Sequence, residues 1–129
     1  MTFALWSILA AAVLPYLSVG LAKFGGSGPG AGYDNAAPRS SMEQLQGWRR
    51  RADWAHRNHI EAFAPFAAAV LVAHWAHGRQ GLVDGLAGAF ILLRMGYTAA
   101  YILDRPSLRS VLFFLGFACV VGLFCAGLR

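Results

Sequence analysis

Charge is what this chain of 129 residues has little of, and acidic charge is the scarcer sign. Charged side chains make up 13% of it and hydrophobic ones 57%, too apolar a balance for a soluble domain of this size. Residues 2–22 carry no charge at all, and neither do residues 110–128. At about 1.5 Å per residue, each run is long enough to cross a hydrocarbon core of roughly 30 Å. A soluble enzyme is excluded, and an integral membrane protein is implied.

Other absences narrow the reading. No basic residue precedes the first apolar run and no small-residue cleavage site ends it, so the run is expected to stay as a transmembrane helix. Nothing resembles a nucleic-acid-binding motif. The net charge of +5 is therefore assigned to membrane topology, and no nucleic-acid partner is expected. Cys119 and Cys125 stand six apart in one apolar segment, a spacing that turns them to different sides of a helix. They cannot bond to each other or form a metal pair, and both read as small buried apolar residues. His56 and His59 lack a third ligand at suitable spacing, so no metal is expected. The first apolar run holds no acidic residue, which argues against a proton-coupled multidrug transporter of similar size. There is no internal repeat.

What is present reads as one domain, residues 1–129, of four helices at about 2–23, 42–76, 82–103 and 105–128. The first connection (FGGSGPGAGYDNAAPRSS) is rich in Gly and Pro and turn-like, with order expected around Tyr33, Asp34 and Asn35. SSMEQ offers a Ser cap and a downstream acid for the second helix. HGRQG and DRPSLRS make short turns, Asp104 being a candidate cap and Pro106 acceptable in the first helical turn. Short connections predict antiparallel neighbours, and hence an up-down bundle of four transmembrane helices. All of the Lys and Arg residues except Arg79 and Arg129 fall on or toward the side of the first and third connections. Positive charge marks the cytoplasmic face, so both termini are expected outside.

The second helix is polar where it enters the bilayer. Arg51, Asn58 and Glu61 fall near one stripe, and Arg57 is placed to pair with Glu61 at i, i+4. The apolar stretch 62–73 spans only about 18 Å, so Asn58 and Glu61 are drawn below the headgroups. Pro65 is expected to disturb the helix just above them. On the third helix Arg94, Tyr97 and Tyr101 share a face at i, i+3, i+7. Arg94 lies roughly 15 Å from the helix end. An Arg at the bilayer centre costs about 2.5–3.5 kcal/mol even on the mild insertion scale, so it needs a partner, and Glu61 is the expected one. Arg105, Arg109 and Ser110 open the fourth helix, whose N-terminus adds partial positive charge. The sum is a cationic pocket near the cytoplasmic leaflet, suited to a small anion, with a bilayer-facing entrance for an apolar second molecule.

RADWAHRNHIEAFAPF resembles the RxxxAHxNxxEnxxxF signature of the MAPEG family, the membrane-associated proteins of eicosanoid and glutathione metabolism. RMGYTAAYILDRPSLRSV is similar to that family's second signature, and YDNAAPR to its short bacterial branch. The resemblance implies a homotrimer in a membrane, expected to be the bacterial inner membrane, that binds glutathione on the cytosolic side at subunit interfaces. It makes glutathione the co-substrate of a transferase, or of a glutathione-dependent peroxidase. The second substrate is then a lipophilic electrophile or a lipid hydroperoxide drawn from the surrounding membrane lipids. By resemblance Arg51, Arg57, Asn58, Glu61, Arg94, Tyr97, Tyr101 and Arg109 hold glutathione, and Arg109 stabilises its thiolate with Ser110 beside it. Trp54 departs from the pattern, standing where some members carry a basic residue. The family also contains non-enzymatic lipid-binding scaffolds, which is the rival reading.

Plainer roles compete at several positions. Arg39, Arg49 and Arg50 read as topology charges, Tyr97 and Tyr101 as interfacial aromatics, and Arg94 as half of a structural ion pair. Arg109 competes as a phosphate-binding residue at a helix start. His74 and His77 read as a solvated face, and Gly85, Gly88 and Gly96 as contacts that let helices approach closely.

Overall fold

The computed structural model describes residues 1–26 and 32–127. The expected turns at 27–31, the last residue of the fourth predicted helix and Arg129 lie outside the described residues. Five helices follow in order: α1 (Phe3–Phe24), α2 (Pro38–Glu43), α3 (Gly47–Trp75), α4 (Gln80–Ile102) and α5 (Pro106–Ala126). Among the described residues, α1, α4 and α5 are long and apolar enough to cross a membrane. α3 has the length, but the polar groups of its first half keep composition alone from marking it. It packs against α1, α4 and α5, and so stands at the centre of the molecule.

α1 shows how an almost wholly apolar helix chooses its inner face. Its buried residues are Ala4, Ser7, Ala11, Pro15, Ser18 and Ala22, three or four apart, and all of them are small. That seam lets backbones approach closely, while Phe3, Trp6, Leu9 and Tyr16 point outward. The buried hydroxyls of Ser7 and Ser18 donate to Ala4 O (2.5 Å) and Leu14 O (3.1 Å), so neither is left unsatisfied. Gly88 of α4 permits close approach too: a Cβ there would stand 3.2 Å from the Phe3 ring. At Gly96 it would meet Leu112 at 3.5 Å, but at Gly85 it would meet nothing, so Gly85 is not a packing glycine.

The predicted second helix is divided. Pro38 opens α2 at its first turn, and Ser41 is not a cap: its hydroxyl accepts from Asp34 N at 3.2 Å. The helix stops at Glu43, and α3 begins at Gly47 with φ +58°, a backbone region open to glycine at little cost. The consecutive arginines behind it close helix ends. Arg49 donates to Ala22 O (2.8 Å) and Lys23 O (2.9 Å) at the end of α1, and Arg50 donates to Glu43 O at the end of α2. Arg51 donates twice to Ile102 O at the end of α4 and stands 4.0 Å from Asp104.

Both hairpin turns use one device. His77 and Asp104 take left-handed φ values of 53° and 56° just past α3 and α4. Gly78 N donates to Ala73 O and Arg105 N to Ala100 O, the long bond of a Schellman motif. Asp104 therefore ends α4, and the cap position of α5 falls to Arg105, which corrects the expected role of Asp104. The core above the site centres on Phe66 and Phe90, stacked at 3.9 Å, with Val70 and Leu123 fully enclosed. Cys119 is buried there, but Cys125 is exposed, against expectation.

Candidate functional site: a buried guanidinium between three helices

The buried stripe of α4 runs Val83, Ala87, Phe90, Arg94, Tyr97 and Ala100. The face that seals the apolar core thus carries Arg94 into the polar half, where it is only 3% exposed. Its expected partner does not hold it. Arg94 Nη1 donates to Asn58 Oδ1 at 2.9 Å, and Nε and Nη2 donate to His59 Nδ1 at 3.2 and 3.1 Å. Glu61 instead faces the amide of its own neighbour, accepting from Asn58 Nδ2 at 3.4 Å. Asn58 and His59 of α3 take one N–H each from Nε, Nη1 and Nη2, and Glu61 stays beyond ion-pair distance. Arg57 is likewise corrected: it pairs one turn back, with buried Asp53 at 3.1 Å, and not forward with Glu61. A buried carboxylate needs a cation far more than an exposed one does.

From Arg94 a ladder of rings and guanidiniums leads toward the start of α5. Arg94 lies over the Tyr97 ring at 4.3 Å, and Tyr97 meets Tyr101 edge-on at 5.5 Å. Arg109 lies over the Tyr101 ring at 4.5 Å. Each guanidinium–ring contact is worth about 0.5–2 kcal/mol, more where water is excluded. Arg109 rather than Arg105 joins this ladder, since Arg105 is exposed at the helix cap. Ser110 is exposed too and spends its hydroxyl on Pro106 O within its own helix.

Two cavities flank the ladder and share Asn58 and Glu61. The first, about 210 Å³, lies between α3, α4 and α5, with Arg94 beside those two residues and Ala62, Pro65, Phe90, Phe113, Gly116, Phe117 and Val120 as its apolar wall. The second, about 460 Å³, is a shallow open groove of mixed lining, formed with Trp54, Arg57 and Tyr101. Asn58, Glu61 and Arg94 thus border an apolar cavity, and Arg57, Asn58, Glu61 and Tyr101 the groove. Tyr97, Arg109 and Ser110 line neither, and nor does Arg51, which is turned to the end of α4.

Sequence reasoning missed His59, which is 3% exposed, and Thr98, whose hydroxyl meets His59 Nε2 at 2.6 Å. The only available signal was indirect: His59 follows Asn58, and Thr98 stands one helical turn beyond Arg94. Among the described residues no group of three or more His, Cys, Asp or Glu is placed to hold a metal ion.

An all-helical integral membrane protein with a buried guanidinium between its helices is the class these observations define. The chain belongs to the MAPEG family, whose family model matches residues 3–129. The family includes glutathione transferases and related enzymes, and some members are non-enzymatic. No curated protein and no solved structure matches the chain.

Proposed function

We propose that the protein is a membrane-bound glutathione transferase that activates the thiol of glutathione for attack on an apolar electrophile from the bilayer. Glutathione-dependent reduction of lipid hydroperoxides is a second activity of the same site. The observation that carries this reading is the pair of adjoining sites, an open groove edged by Arg57 and an apolar cavity, that meet at Asn58 and Glu61. A two-substrate reaction between a water-soluble thiol and a lipophile needs such a pair. Glutathione is a small anion with two carboxylates, and Arg57, Arg94 and Arg109 supply guanidiniums able to hold carboxylates bidentately. Asn58 and Glu61 take its backbone and amine, and Tyr97 and Tyr101 pack against it.

Arg109 stabilises the thiolate, with Ser110 beside it at the start of α5. In conjugation the sulfur electron pair forms the new C–S bond, and the leaving group departs with its own pair. In peroxide reduction the thiolate attacks one peroxide oxygen and the O–O bond breaks, releasing the alcohol after protonation. The resulting sulfenic acid condenses with a second glutathione to give the disulfide and water. Arg51 acts at a distance, fixing the turn that carries α5.

In this reading α1, α3, α4 and α5 cross the bilayer as one up-down bundle spanning residues 1–129. Three copies assemble as a homotrimer in the bacterial inner membrane, termini outside and the glutathione site toward the cytosol. The basic residues gathered near the ends of α1 and α4 support that orientation.

A second reading, the non-enzymatic lipid-binding scaffold, draws on the mostly apolar wall of the first cavity. Glutathione titrated into the detergent-purified protein at neutral pH separates the two by ultraviolet thiolate absorbance. A saturable rise is expected for the transferase. No rise at concentrations well above cellular glutathione would leave the scaffold reading standing.

A further inference from the structure

The hydrogen bonds behind Arg94 close into a circuit that fixes the chemistry of one histidine. Arginine only donates, so His59 Nδ1, which receives Arg94 Nε and Nη2, must be the unprotonated nitrogen. His59 Nε2 then carries the proton and donates it to Thr98 Oγ1 at 2.6 Å. Thr98 is free to accept because its own hydroxyl proton goes to Arg94 O, one turn back, at 3.2 Å. The tautomer is therefore set by Arg94 and matched by Thr98, and the imidazole is neutral.

That neutrality matters for the charge in front of it. The ion pairs among the described residues are Arg51–Asp104 and Arg57–Asp53, and neither includes Arg94. Asn58, its other acceptor, is neutral as well. The guanidinium is thus oriented by neutral groups, with an N–H on each Nη nitrogen beyond those committed to Asn58 and His59, and Glu61, which lines the same cavity, offsets only part of its charge from beyond ion-pair distance. It borders the apolar cavity, where charge is weakly screened and an anion is strongly attracted. A carboxylate at position 59 would hold the fork equally well and remove that attraction.

We propose that His59 is a positioning residue, a tautomer-locked neutral acceptor that aims Arg94 at an anionic group of the bound substrate while leaving its charge available. The inference rests on the transferase reading for the identity of that substrate, glutathione. Its test compares two near-isosteric variants of the full-length protein in lipid nanodiscs. His59→Asn keeps a neutral acceptor close to the Nδ1 position, whereas His59→Asp offers the same shape with a negative charge. Calorimetric affinity for glutathione is expected to stay within about threefold of wild type for Asn and to fall about tenfold or more for Asp, roughly 1.4 kcal/mol. The Asp variant should melt no lower than the Asn variant, a pattern that a merely structural role does not produce. Equal glutathione affinity in the two variants would overturn the proposal.

The ¹⁵N spectrum of the histidine-labelled protein gives a readout independent of any ligand, and His59→Asn identifies the signal. It should show His59 as the Nε2–H tautomer in wild type, and in Thr98→Val as well, because the two Arg94 donors still hold Nδ1 unprotonated. An Nδ1–H or doubly protonated ring in wild type overturns the inference even if glutathione binds. Wild-type protein that binds no glutathione would sink the transferase reading instead, and the imidazole spectrum would then decide the inference by itself. If His59→Asp fails to fold, Thr98→Val provides the affinity comparison, with a loss of about threefold expected and no loss counting against the proposal.

Discussion

Replacing Arg109 by Ala should abolish most thiolate formation at neutral pH while costing much less in turnover. A free thiol has a pKa of about 8.5, so roughly 3% of it is ionised at pH 7. A guanidinium about 4 Å from the sulfur is worth about 4 kcal/mol at an effective dielectric near 20. Stripping water from the sulfur opposes this, and taking about half as the net effect lowers the thiol pKa by roughly 1.5 units, to about 7. Half the bound glutathione is then ionised at pH 7, about fifteen times more than without Arg109. Turnover gains less, because a less basic thiolate is a poorer nucleophile: with a Brønsted coefficient of about 0.45, roughly fivefold is given back. Arg109→Ala should therefore lower thiolate absorbance at pH 7 about fifteenfold and turnover from ionisation alone only about threefold. The sign with pH follows. The thiolate is fully formed above its pKa in either protein, so the two converge near pH 9.5 and separate most at and below pH 7. Arg109→Lys should recover part of the absorbance, because a cation remains even though the planar contact over the Tyr101 ring, at 4.5 Å, is lost. Unchanged absorbance at pH 7 in Arg109→Ala would refute the reasoning, and so would a defect that persists undiminished at pH 9.5.

Other perturbations probe the parts around that residue. Gly116 lines the apolar cavity and its Cβ would stand 3.9 Å from Phe90, so Gly116→Ala should fold normally, whereas Gly116→Leu should fill the cavity. Steady-state kinetics with an apolar electrophile should then show KM for that substrate raised more than glutathione affinity falls, since Arg94 borders the filled cavity; equal losses would mean that the two cavities are not separate compartments. Arg49→Ala removes two charged-donor hydrogen bonds at the end of α1 and should cost about 2 kcal/mol, seen as a lower melting temperature in detergent. A melt identical to wild type would mean that water replaces the clamp. Phe66→Ala opens a void against the stacked Phe90 ring and should cost about 3–5 kcal/mol, measured by the same melt. A loss under about 1 kcal/mol would mean that the core collapses to fill it.

The sequence showed most plainly what depends on period along a single helix. Arg94, Tyr97 and Tyr101 share a face by spacing alone, and in the structure they touch in that order. What it could not show is which residue of another helix would face them. Asn58, His59 and Glu61 are adjacent on α3, and a rotation of about 100° per residue exchanges one for another. Only packing of α3 against α1, α4 and α5 selects Asn58 and His59 for Arg94. Arg57 posed the same problem along one helix, with an acid a turn away on either side; burial of Asp53 decided it. The break between α2 and α3 did leave a mark, in Gly47, which the capping pattern of SSMEQ outweighed.

The arrangement of polar groups accounts for the many that α3 carries. Its N-terminal turns serve helix ends: Arg49, Arg50 and Arg51 satisfy carbonyls that α1, α2 and α4 would otherwise leave open. Its next two turns are satisfied internally, Asp53 by Arg57 and His59 by Arg94 and Thr98, and no buried side-chain polar atom among the described residues lacks a partner. Beyond Ala62 the buried face turns apolar, with Phe66, Ala69, Val70 and Ala73. Each of these groups is thus tied to a helix end, paired within α3 or bonded to α4. Among the groups aimed at cavities, Arg94 differs in being buried and held only by neutral acceptors. Structural balance alone would favour a carboxylate opposite it, and Glu61 stands on the neighbouring turn, yet the fork closes on His59 and Asn58. A buried cation held by neutral acceptors, with Glu61 near but not paired to it, keeps an N–H on each Nη nitrogen facing the cavity.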